Sequence, residues 1–229
     1  VRFSEALQRG VEMLADPTGN KSDLEGPALD DLLVRHGLTP PASTFATTAE
    51  NAAAQAADMG FPVVLKIVSP QASHKTEVGG VSLNLGDRAA VVSAANDMSA
   101  RLKSIDSAAQ VDGFLVQEMV SGTEVIIGVR EDPQFGPVMV VGLGGVLVEA
   151  MRDVAFRMLP VNEIDAGEML EELRGKAVLG EFRGSPARDV DALIKAICGL
   201  SELYIDHRQH VVDLEVNPII VGAVGRGVR

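Results

Sequence analysis

The sequence predicts an α+β (α/β) fold made of two mixed units, and three observations lead to this prediction. Segments with helical periodicity alternate with short apolar runs typical of strands in the first half of the chain. Three further apolar runs are separated only by Gly, Asp and Pro turn signals, so antiparallel pairing is expected. The 229 residues are 46% hydrophobic with a mean hydropathy of +0.18, which is enough for one large core or two small ones.

The first predicted unit covers residues 25–118 and follows a helical appendage over residues 1–24. Apolar spacing, caps and turn residues give the expected elements in order: a helix at Phe3–Leu14, a helix at Pro27–His36, a helix opened by a Thr47–Glu50 capping box and ending at Met59, strands at Phe61–Val68 and Gly79–Leu85, and a helix at Arg88–Leu102.

The second predicted unit covers residues 119–229, and the strand that leads into it begins at Gly113. Its elements are expected in this order: strands at 113–120, 123–132 and 136–145, helices at Leu170–Leu173 and Asp189–Tyr204, and a buried strand at Val211–Val216 that continues through Pro218–Val221.

Charge and composition exclude several classes of partner. The net charge of −12 and the pI near 4.7 oppose nonspecific binding to nucleic acid and to anionic membranes, because no basic run is present to neutralise phosphates. One cysteine, Cys198, excludes an internal disulfide, and its helical surroundings indicate a packed core thiol. No apolar stretch reaches the ~18 residues that span a bilayer, so a cytoplasmic protein is expected.

Lys66 and His74 lie in the stretch that carries the most chemistry, a strand followed by a polar loop. An ammonium on an apolar strand needs an anion, so Lys66 is either a phosphate ligand or a lysine paired with a carboxylate. His74 lies in a loop rich in Ser, Thr and Gly and is either solvated or a nucleophile that carries a phosphoryl group.

A polar row on the last strand predicts a metal site. Asp213, Glu215 and Asn217 alternate with apolar residues and therefore project from one strand face. Carboxylate and amide oxygens at this spacing are hard ligands suited to Mg²⁺, and the alternative is an ordinary half-exposed strand face.

Three further places are candidates for ligand contact. Gly144 and Gly145 follow an apolar strand, where glycine amides can meet a phosphate, although the sequence matches no known phosphate-loop motif. Glu118 and Glu124 flank a strand-turn-strand junction that is either an exposed hairpin or a hinge beside a nucleotide. Arg157 is a cation that reaches either a phosphate or a surface carboxylate.

Three motifs in the same order resemble the ATP-grasp domain of ADP-forming acyl-CoA synthetases, which is the beta subunit in two-subunit forms. They are FPVVLKIVSPQASHKTEVGGV, then GFLVQEMVSGTEVIIGV with the segment up to FRMLP, and DLEVNP. The resemblance covers roughly Glu25 to Val221. It implies an ATP-grasp fold, in which ATP or ADP with Mg²⁺ binds between two α+β subdomains.

The resemblance also implies roles for individual residues. By motif match, Lys66 contacts phosphate, Glu118, Met119 and Val120 the adenine side, Glu124 the ribose, Glu215 with Asn217 the Mg²⁺, and His74 corresponds to the family's second phosphohistidine. His74 would then relay a phosphoryl group between ADP and a histidine on the CoA-binding part.

In the family reaction a carboxylic acid, CoA and ATP are converted to acyl-CoA, ADP and phosphate. A CoA-binding alpha subunit or fused CoA-binding domain is therefore the expected partner, because no segment here resembles that domain. Family members have a further acidic metal ligand after the Asn-Pro pair, where this sequence ends in GAVGRGVR. Two alternatives stay open: a noncatalytic regulatory module, as found attached to protein acetyltransferases, and a free-standing ATP-grasp carboxylate-amine ligase.

Overall fold

The computed structural model describes residues 12–15, 27–70, 79–144, 152–209 and 211–229. The strands are β1 (Glu12–Ala15), β2 (Ser43–Ala46), β3 (Val63–Val68), β4 (Val81–Leu85), β5 (Gly113–Glu118), β6 (Thr123–Asp132), β7 (Gly136–Leu143), β8 (Val154–Met158) and β9 (Val211–Val221). The helices are α1 (Pro27–Arg35), α2 (Ala49–Met59), α3 (Arg88–Ile105), α4 (Glu163–Glu172) and α5 (Val190–His207), with a 3₁₀-helix at Lys176–Leu179. None of the helices in these ranges is long and apolar enough to cross a bilayer.

Residues Pro41–Val120 form a compact unit around a four-stranded sheet. The strand order is β2-β5-β3-β4, and neighbouring strands are antiparallel. Helices α2 and α3 cover one face of this sheet, and the small side chains of the alanine-rich α2 allow a close approach. Residues in the core between helices and sheet include Ala52, Ala56, Val63, Leu65, Ile67, Val91 and Met98.

The larger compact unit comprises the described residues up to Pro40 together with Ser121–Arg229. Its five-stranded sheet has the order β1-β9-β6-β7-β8, again with antiparallel neighbours. Helices α4 and α5 pack on one face of the sheet. Residues in that core include Ile127, Val129, Met139, Met169, Leu193, Ile197, Leu214 and Val216. The α+β class and the antiparallel pairing predicted from the sequence are confirmed.

Helix α1 packs in the larger unit, although the sequence analysis placed residues 25–118 in one subdomain. Leu33 and Leu38 lie in the core of the larger unit. The main-chain carbonyl of His36 contacts Gly199 on α5 so closely that any Cβ at position 199 would overlap it. A glycine in the middle of α5 therefore permits this helix contact.

Several local predictions are corrected by the structure. The helix expected at Phe3–Leu14 is wrong at its end, because Glu12–Ala15 form β1 and pair with β9, and residues 3–11 lie outside the described residues. Thr48 rather than Thr47 caps α2, since its Oγ1 accepts a hydrogen bond from the Asn51 N–H at 3.1 Å. Strands β2 and β8 were not predicted from the sequence, and only the end of α4 was predicted as a helix.

Asp189 ties the start of α5 to the C-terminal residues. One carboxylate oxygen accepts the Ala192 N–H at 3.2 Å, so Asp189 caps the helix. The other accepts the N–H groups of Gly225 and Gly227 at 2.9 Å each. These hydrogen bonds, above all the one from Gly227, hold the pKa of Asp189 below its ordinary value.

Replacing Gly199 with Ala should destabilise the protein by about 1–3 kcal/mol, because the new methyl group overlaps a main-chain carbonyl that cannot move aside. The measurement is the free energy of unfolding in urea. Gly167→Ala in α4 is the matched control, since its Cβ would lie 3.9 Å from Ile194 Cδ1, an ordinary contact. The control should be neutral or more stable by about 0.5–1 kcal/mol, and equal effects of the two variants would contradict the close-approach argument.

Asp189→Asn should lower stability at neutral pH, because one acceptor oxygen becomes an NH2 donor that faces main-chain N–H groups in either orientation of the amide. Since the pKa of Asp189 is lowered in the folded state, the carboxylate stabilises the fold above the ordinary aspartate pKa of about 4. This contribution disappears as the pH falls through the lowered value. The difference in unfolding free energy between wild type and variant should therefore shrink at acidic pH.

The matched control for this pH series is Asp191→Asn, an exposed residue in the first turn of the same helix. It should show a smaller difference at neutral pH. A wild-type advantage over Asp189→Asn that stays constant down to the lowest pH would rule out the carboxylate charge as its source.

Candidate functional site

Lys66 lies on the face of the four-stranded sheet opposite α2 and α3, here called the outer face of that sheet. Its neighbours Leu65 and Ile67 point into the helix-covered core and are at most 1% exposed, so the side chain between them faces the other way. Lys66 is half-buried and lies opposite Leu115 of β5 and Val81 of β4. A rigid central strand therefore presents this ammonium group.

The segment that contains His74 connects β3, the strand of Lys66, to β4. Residues 71–78, including His74, lie outside the described residues. Strand β3 ends two residues after Lys66, and the segment returns through Gly79 and Gly80, whose carbonyl accepts the Ile67 N–H at 2.8 Å. Both covalent ends of the segment are thus within a few residues of Lys66.

The outer face of the five-stranded sheet is the face opposite α4 and α5. Cross-strand pairing places two rows of residues on it: Glu215, Gly128, Val140 and Phe156 in one row, and Asp213, Arg130, Val138 and Met158 in the next. The residues between these rows on β9, β6 and β7, namely Leu214, Val129 and Met139, are buried under the helices. The alternation expected on the last strand is therefore present.

Glu215 and Asn217 lie close together on this outer face. The Asn217 amide donates a hydrogen bond to Glu215 Oε1 at 3.2 Å, and both side chains are half-buried. Asp213, two residues earlier, is instead placed 3.4 Å from Arg130 Nε. The structure thus places Glu215 and Asn217 in contact with each other and Asp213 beside an arginine.

Arg130 is a residue that the sequence analysis did not single out. It follows Glu124, Ile126 and Gly128 at two-residue spacing on β6, so the predicted strand 123–132 contained the signal for its outward orientation. Its pairing with Asp213 depends on the register of β6 against β9, which local spacing does not reveal.

Glu124 lies on the same outer face as Glu215. Glu124 and Gly128 are four residues apart on β6, so both face the same side of the sheet. Gly128 is the direct partner of Glu215 on β9. The carboxylate is exposed, and the Glu124 carbonyl accepts the Gly144 N–H at 2.7 Å.

Gly144 packs against Glu124 so tightly that a Cβ would lie 2.6 Å from the Glu124 Cβ. Its amide is used by the main chain, so the close approach of two strands accounts for this glycine. Gly145 lies outside the described residues.

Glu118, Met119 and Val120 connect the smaller unit to the larger one along the chain. The Glu118 N–H donates to the Ala42 carbonyl at 2.8 Å, and its exposed carboxylate accepts the Ala42 N–H at 3.3 Å. Met119 and Val120 are half-buried. Two hydrogen bonds with Ala42, the residue before β2, therefore hold the end of β5 in place. The connection to the larger unit follows immediately along the chain.

Arg157 points to the helix side of β8, away from Glu215. It donates a bidentate pair of hydrogen bonds to the Glu172 carboxylate on α4, at 2.7 and 3.2 Å, and another hydrogen bond to Glu168 at 3.3 Å. The hydrogen bond that Arg157 donates to Glu172 raises the pKa of Arg157, and the same bond lowers the pKa of Glu172. Of the two alternatives stated for Arg157, the structure shows the carboxylate contact.

The residues around Glu215 fit Mg²⁺ held jointly with a phosphate-bearing ligand. Within the described ranges, no three His, Cys, Asp or Glu side chains are grouped as a metal site. Mg²⁺ commonly binds one or two protein oxygens and takes its remaining ligands from phosphates and water. Glu215 and Asn217 offer that kind of partial set.

A family model described as the ATP-grasp domain matches residues 17–228. Among curated relatives, the beta subunit of ADP-forming acetate–CoA ligase II from Pyrococcus furiosus is 34% identical over 97% of this chain and 94% of its own length. The ADP-forming 4-hydroxybutyrate–CoA ligase of Nitrosopumilus maritimus is 37% identical over 87% of this chain, which spans 28% of that protein.

Solved structures also match most of this chain. Dinucleotide-forming acetyl-coenzyme A synthetase 1 from Ca. Korarchaeum cryptofilum, in complex with coenzyme A and Ca-AMPCP, superposes with a TM-score of 0.79 at 36% identity, covering 88% of this chain and 87% of that one. A second structure of it contains Mg-AMPPCP and a phosphohistidine segment pointing towards the nucleotide-binding site, with a TM-score of 0.69 at 35% identity over 86% and 84% of the chains. The chain belongs to the ATP-grasp domain family, in the group that includes the beta subunits of ADP-forming acetate–CoA ligases.

Proposed function

We propose that this chain is the nucleotide-binding, phosphoryl-transferring part of an ADP-forming acyl-CoA synthetase. It binds ATP or ADP with Mg²⁺ and works with a CoA-binding subunit or fused domain that handles the carboxylic acid and CoA. The match to almost the whole length of a separate beta subunit supports a role as one part of a larger catalytic assembly.

The observation that carries this proposal is the common orientation of Glu124, Glu215 and Asn217 on one sheet face. Glu124 lies four residues before Gly128, the partner of Glu215, which is roughly 14 Å along β6 at ~3.4 Å per residue. Carboxylates at the two ends of such a stretch suit a ligand with a ribose at one end and metal-bound phosphates at the other. Glu124 is assigned to the ribose hydroxyls and Glu215 with Asn217 to the metal.

Glu118 to Val120 are assigned to the adenine side of the nucleotide. Their location supports this assignment, since Glu118 ends β5 and Met119 and Val120 follow it, beyond the last hydrogen bond to the Ala42 carbonyl beside β2. An adenine edge is recognised by main-chain donors and acceptors. Arg157 and Gly144 are left out of the proposed contacts, because carboxylates of α4 and the Glu124 carbonyl already use their donors.

Lys66 and His74 are assigned to phosphoryl transfer. The lone pair of a neutral His74 nitrogen attacks the terminal phosphorus of ATP, the bond to the bridging oxygen breaks, and ADP leaves with the bonding electrons. Lys66 binds the phosphate oxygens and lowers the cost of the charge that collects on the departing ADP. Mg²⁺, when bound, neutralises further phosphate charge. The reverse step returns the phosphoryl group to ADP.

The comparison with the Korarchaeum enzyme supports the carrier role of His74, since that protein has a phosphohistidine segment that points towards its nucleotide site. A carrier that visits two sites is required when acyl phosphate chemistry and ADP phosphorylation occur in different places. Phosphohistidine suits this purpose because imidazole is nucleophilic near neutral pH.

Incubation with terminally labelled ATP and Mg²⁺ should yield acid-labile, base-stable label that is lost in His74→Ala, because the label is bound to the imidazole nitrogen. The measurement is protein-bound radioactivity after acid and base treatment. His207→Ala, at the end of α5, is the matched histidine control and should label normally. Label that persists in His74→Ala would eliminate the carrier role.

Glu215→Gln should weaken binding of Mg·ADP by at least about tenfold, because a charged oxygen ligand is replaced by a neutral one. Binding of ADP in the presence of EDTA should hardly change. The measurement is titration calorimetry with and without Mg²⁺. Asp213→Asn is the control on the same strand face, and it should affect Mg·ADP binding less because Arg130 already neutralises Asp213. An equal loss with and without the metal would contradict a ligand role for Glu215.

A further inference from the structure

Arg130 is a cation on the outer face of the five-stranded sheet, and its two neighbours on β6 determine its direction. Val129 is 2% exposed in the helix-covered core. Glu131 also faces the helices, since its carboxylate accepts a hydrogen bond from Tyr204 Oη on α5 at 3.3 Å and one from Arg208 Nη2, just after α5, at 2.6 Å. Because alternate residues of a strand face opposite sides, Arg130 projects from the other face of the sheet.

The guanidinium of Arg130 contacts Asp213 on the neighbouring strand β9. Its Nε lies 3.4 Å from Asp213 Oδ1, an oxygen that is buried and has no hydrogen-bond partner within the described ranges. A guanidinium has five N–H donors in a planar fork, and most of them lie on its two terminal nitrogens. The ion pair is made at Nε, the nitrogen nearest the main chain, and the Arg130 side chain is 60% exposed. A ligand on this face of the sheet can therefore reach the guanidinium.

Arg130 extends the line of residues to which the nucleotide has been assigned. Gly128, the partner of Glu215, is four residues after Glu124 on β6. Arg130 is two residues farther in the same direction, roughly 7 Å at ~3.4 Å per residue. A nucleotide with its ribose at Glu124 and its metal-bound phosphates at Glu215 therefore has its terminal phosphate towards Arg130.

A phosphate on this face of the sheet needs a cation, because the face is acidic. Glu124, Asp213 and Glu215 all project from it, and the chain has a net charge of −12. In the two rows that cross β9, β6, β7 and β8 at Glu215 and at Asp213, Arg130 is the one lysine or arginine. Mg²⁺, when bound, offsets only part of the charge of a triphosphate, and ATP has one phosphate more than ADP. Arg130 is placed to neutralise that additional phosphate.

We propose that Arg130 binds the terminal phosphate of ATP and so determines how strongly the site prefers ATP to ADP, an inference that rests on the proposed function. Its terminal nitrogens suit the bidentate recognition of phosphate oxygens. Once the terminal phosphoryl group has left, ADP lacks this contact and the arginine is balanced by Asp213 alone. The ion pair thus keeps the cation compensated in the ADP-bound state.

Titration calorimetry with Mg·ADP and with the Mg²⁺ complex of a methylene-bridged, non-hydrolysable ATP analogue tests the proposal. Arg130→Gln should weaken binding of the analogue by at least about tenfold, because a charged donor to phosphate is lost, and should weaken Mg·ADP binding far less. Retained Mg·ADP binding also shows that the variant is folded. Arg130→Lys keeps the charge without the planar fork and should lose less affinity for the analogue. Lys195→Gln removes an exposed cation from α5, on the helix side of the sheet, and should bind both ligands as the wild type does.

A double variant separates the loss of a phosphate contact from the exposure of the Asp213 charge. Arg130→Gln leaves that carboxylate without its cation, and an unpaired carboxylate repels phosphate by itself. The double variant Arg130→Gln with Asp213→Asn should therefore still bind the analogue about tenfold more weakly than Asp213→Asn alone.

Three results would overturn the proposal: equal binding of the analogue by the double variant and Asp213→Asn, equal losses for Mg·ADP and the analogue in Arg130→Gln, or wild-type binding of the analogue by Arg130→Gln. In each of them the wild type binds nucleotide, so the proposed function stands without this role for Arg130. A wild-type protein that binds neither Mg·ADP nor the analogue would refute the proposed function and this inference with it.

Discussion

In both sheets, alternate side chains on each central strand are packed beneath helices, and this burial determines which residues face outward. On β9, Leu214 and Val216 are at most 6% exposed in the core of the larger unit, so Glu215 and Asn217 project from the other face. A register slip of one residue would exchange the two sets. It would place a carboxylate under α5 and cost several kcal/mol, because an unpaired charge would lose its hydration. The candidate metal ligands are thus held in place by the apolar residues between them.

The same rule explains which predictions from the sequence succeeded. A period of two is visible locally, and the flanking apolar residues of β3 and β9 showed that Lys66, Glu215 and Asn217 share the outward face of their strands. The start of the helix expected at Asp189 was also readable, although Thr47 and Thr48 are chemically equivalent cap candidates and the wrong one was chosen for α2. Signals carried by neighbouring residues were therefore sufficient for most elements.

Predictions that depended on distant partners were less successful. Arg157 lies on a short strand that was missed, and its side chain meets two glutamates of α4, a helix of which only the end had been recognised. Gly144 looked available to a ligand, but its amide is used by Glu124, twenty residues earlier. In each case the competing partner is brought in by strand or helix packing, and no spacing within the motif could indicate it. Candidate ligands taken from sequence are therefore most secure where a buried neighbour on each side fixes their direction.

Lys66 on β3 and His74 in the segment between β3 and β4 differ in this respect. Lys66 is a strand residue whose direction follows from the burial of Leu65 and Ile67 on either side of it. His74 belongs to residues 71–78, outside the described residues, and its segment connects β3 to β4. One end continues directly from β3, and the other returns through Gly80, whose carbonyl accepts the Ile67 N–H at 2.8 Å. Because Lys66 pairs with Val81 on β4 and Leu115 on β5, the two strands that the His74 segment connects include the pair that fixes the direction of Lys66.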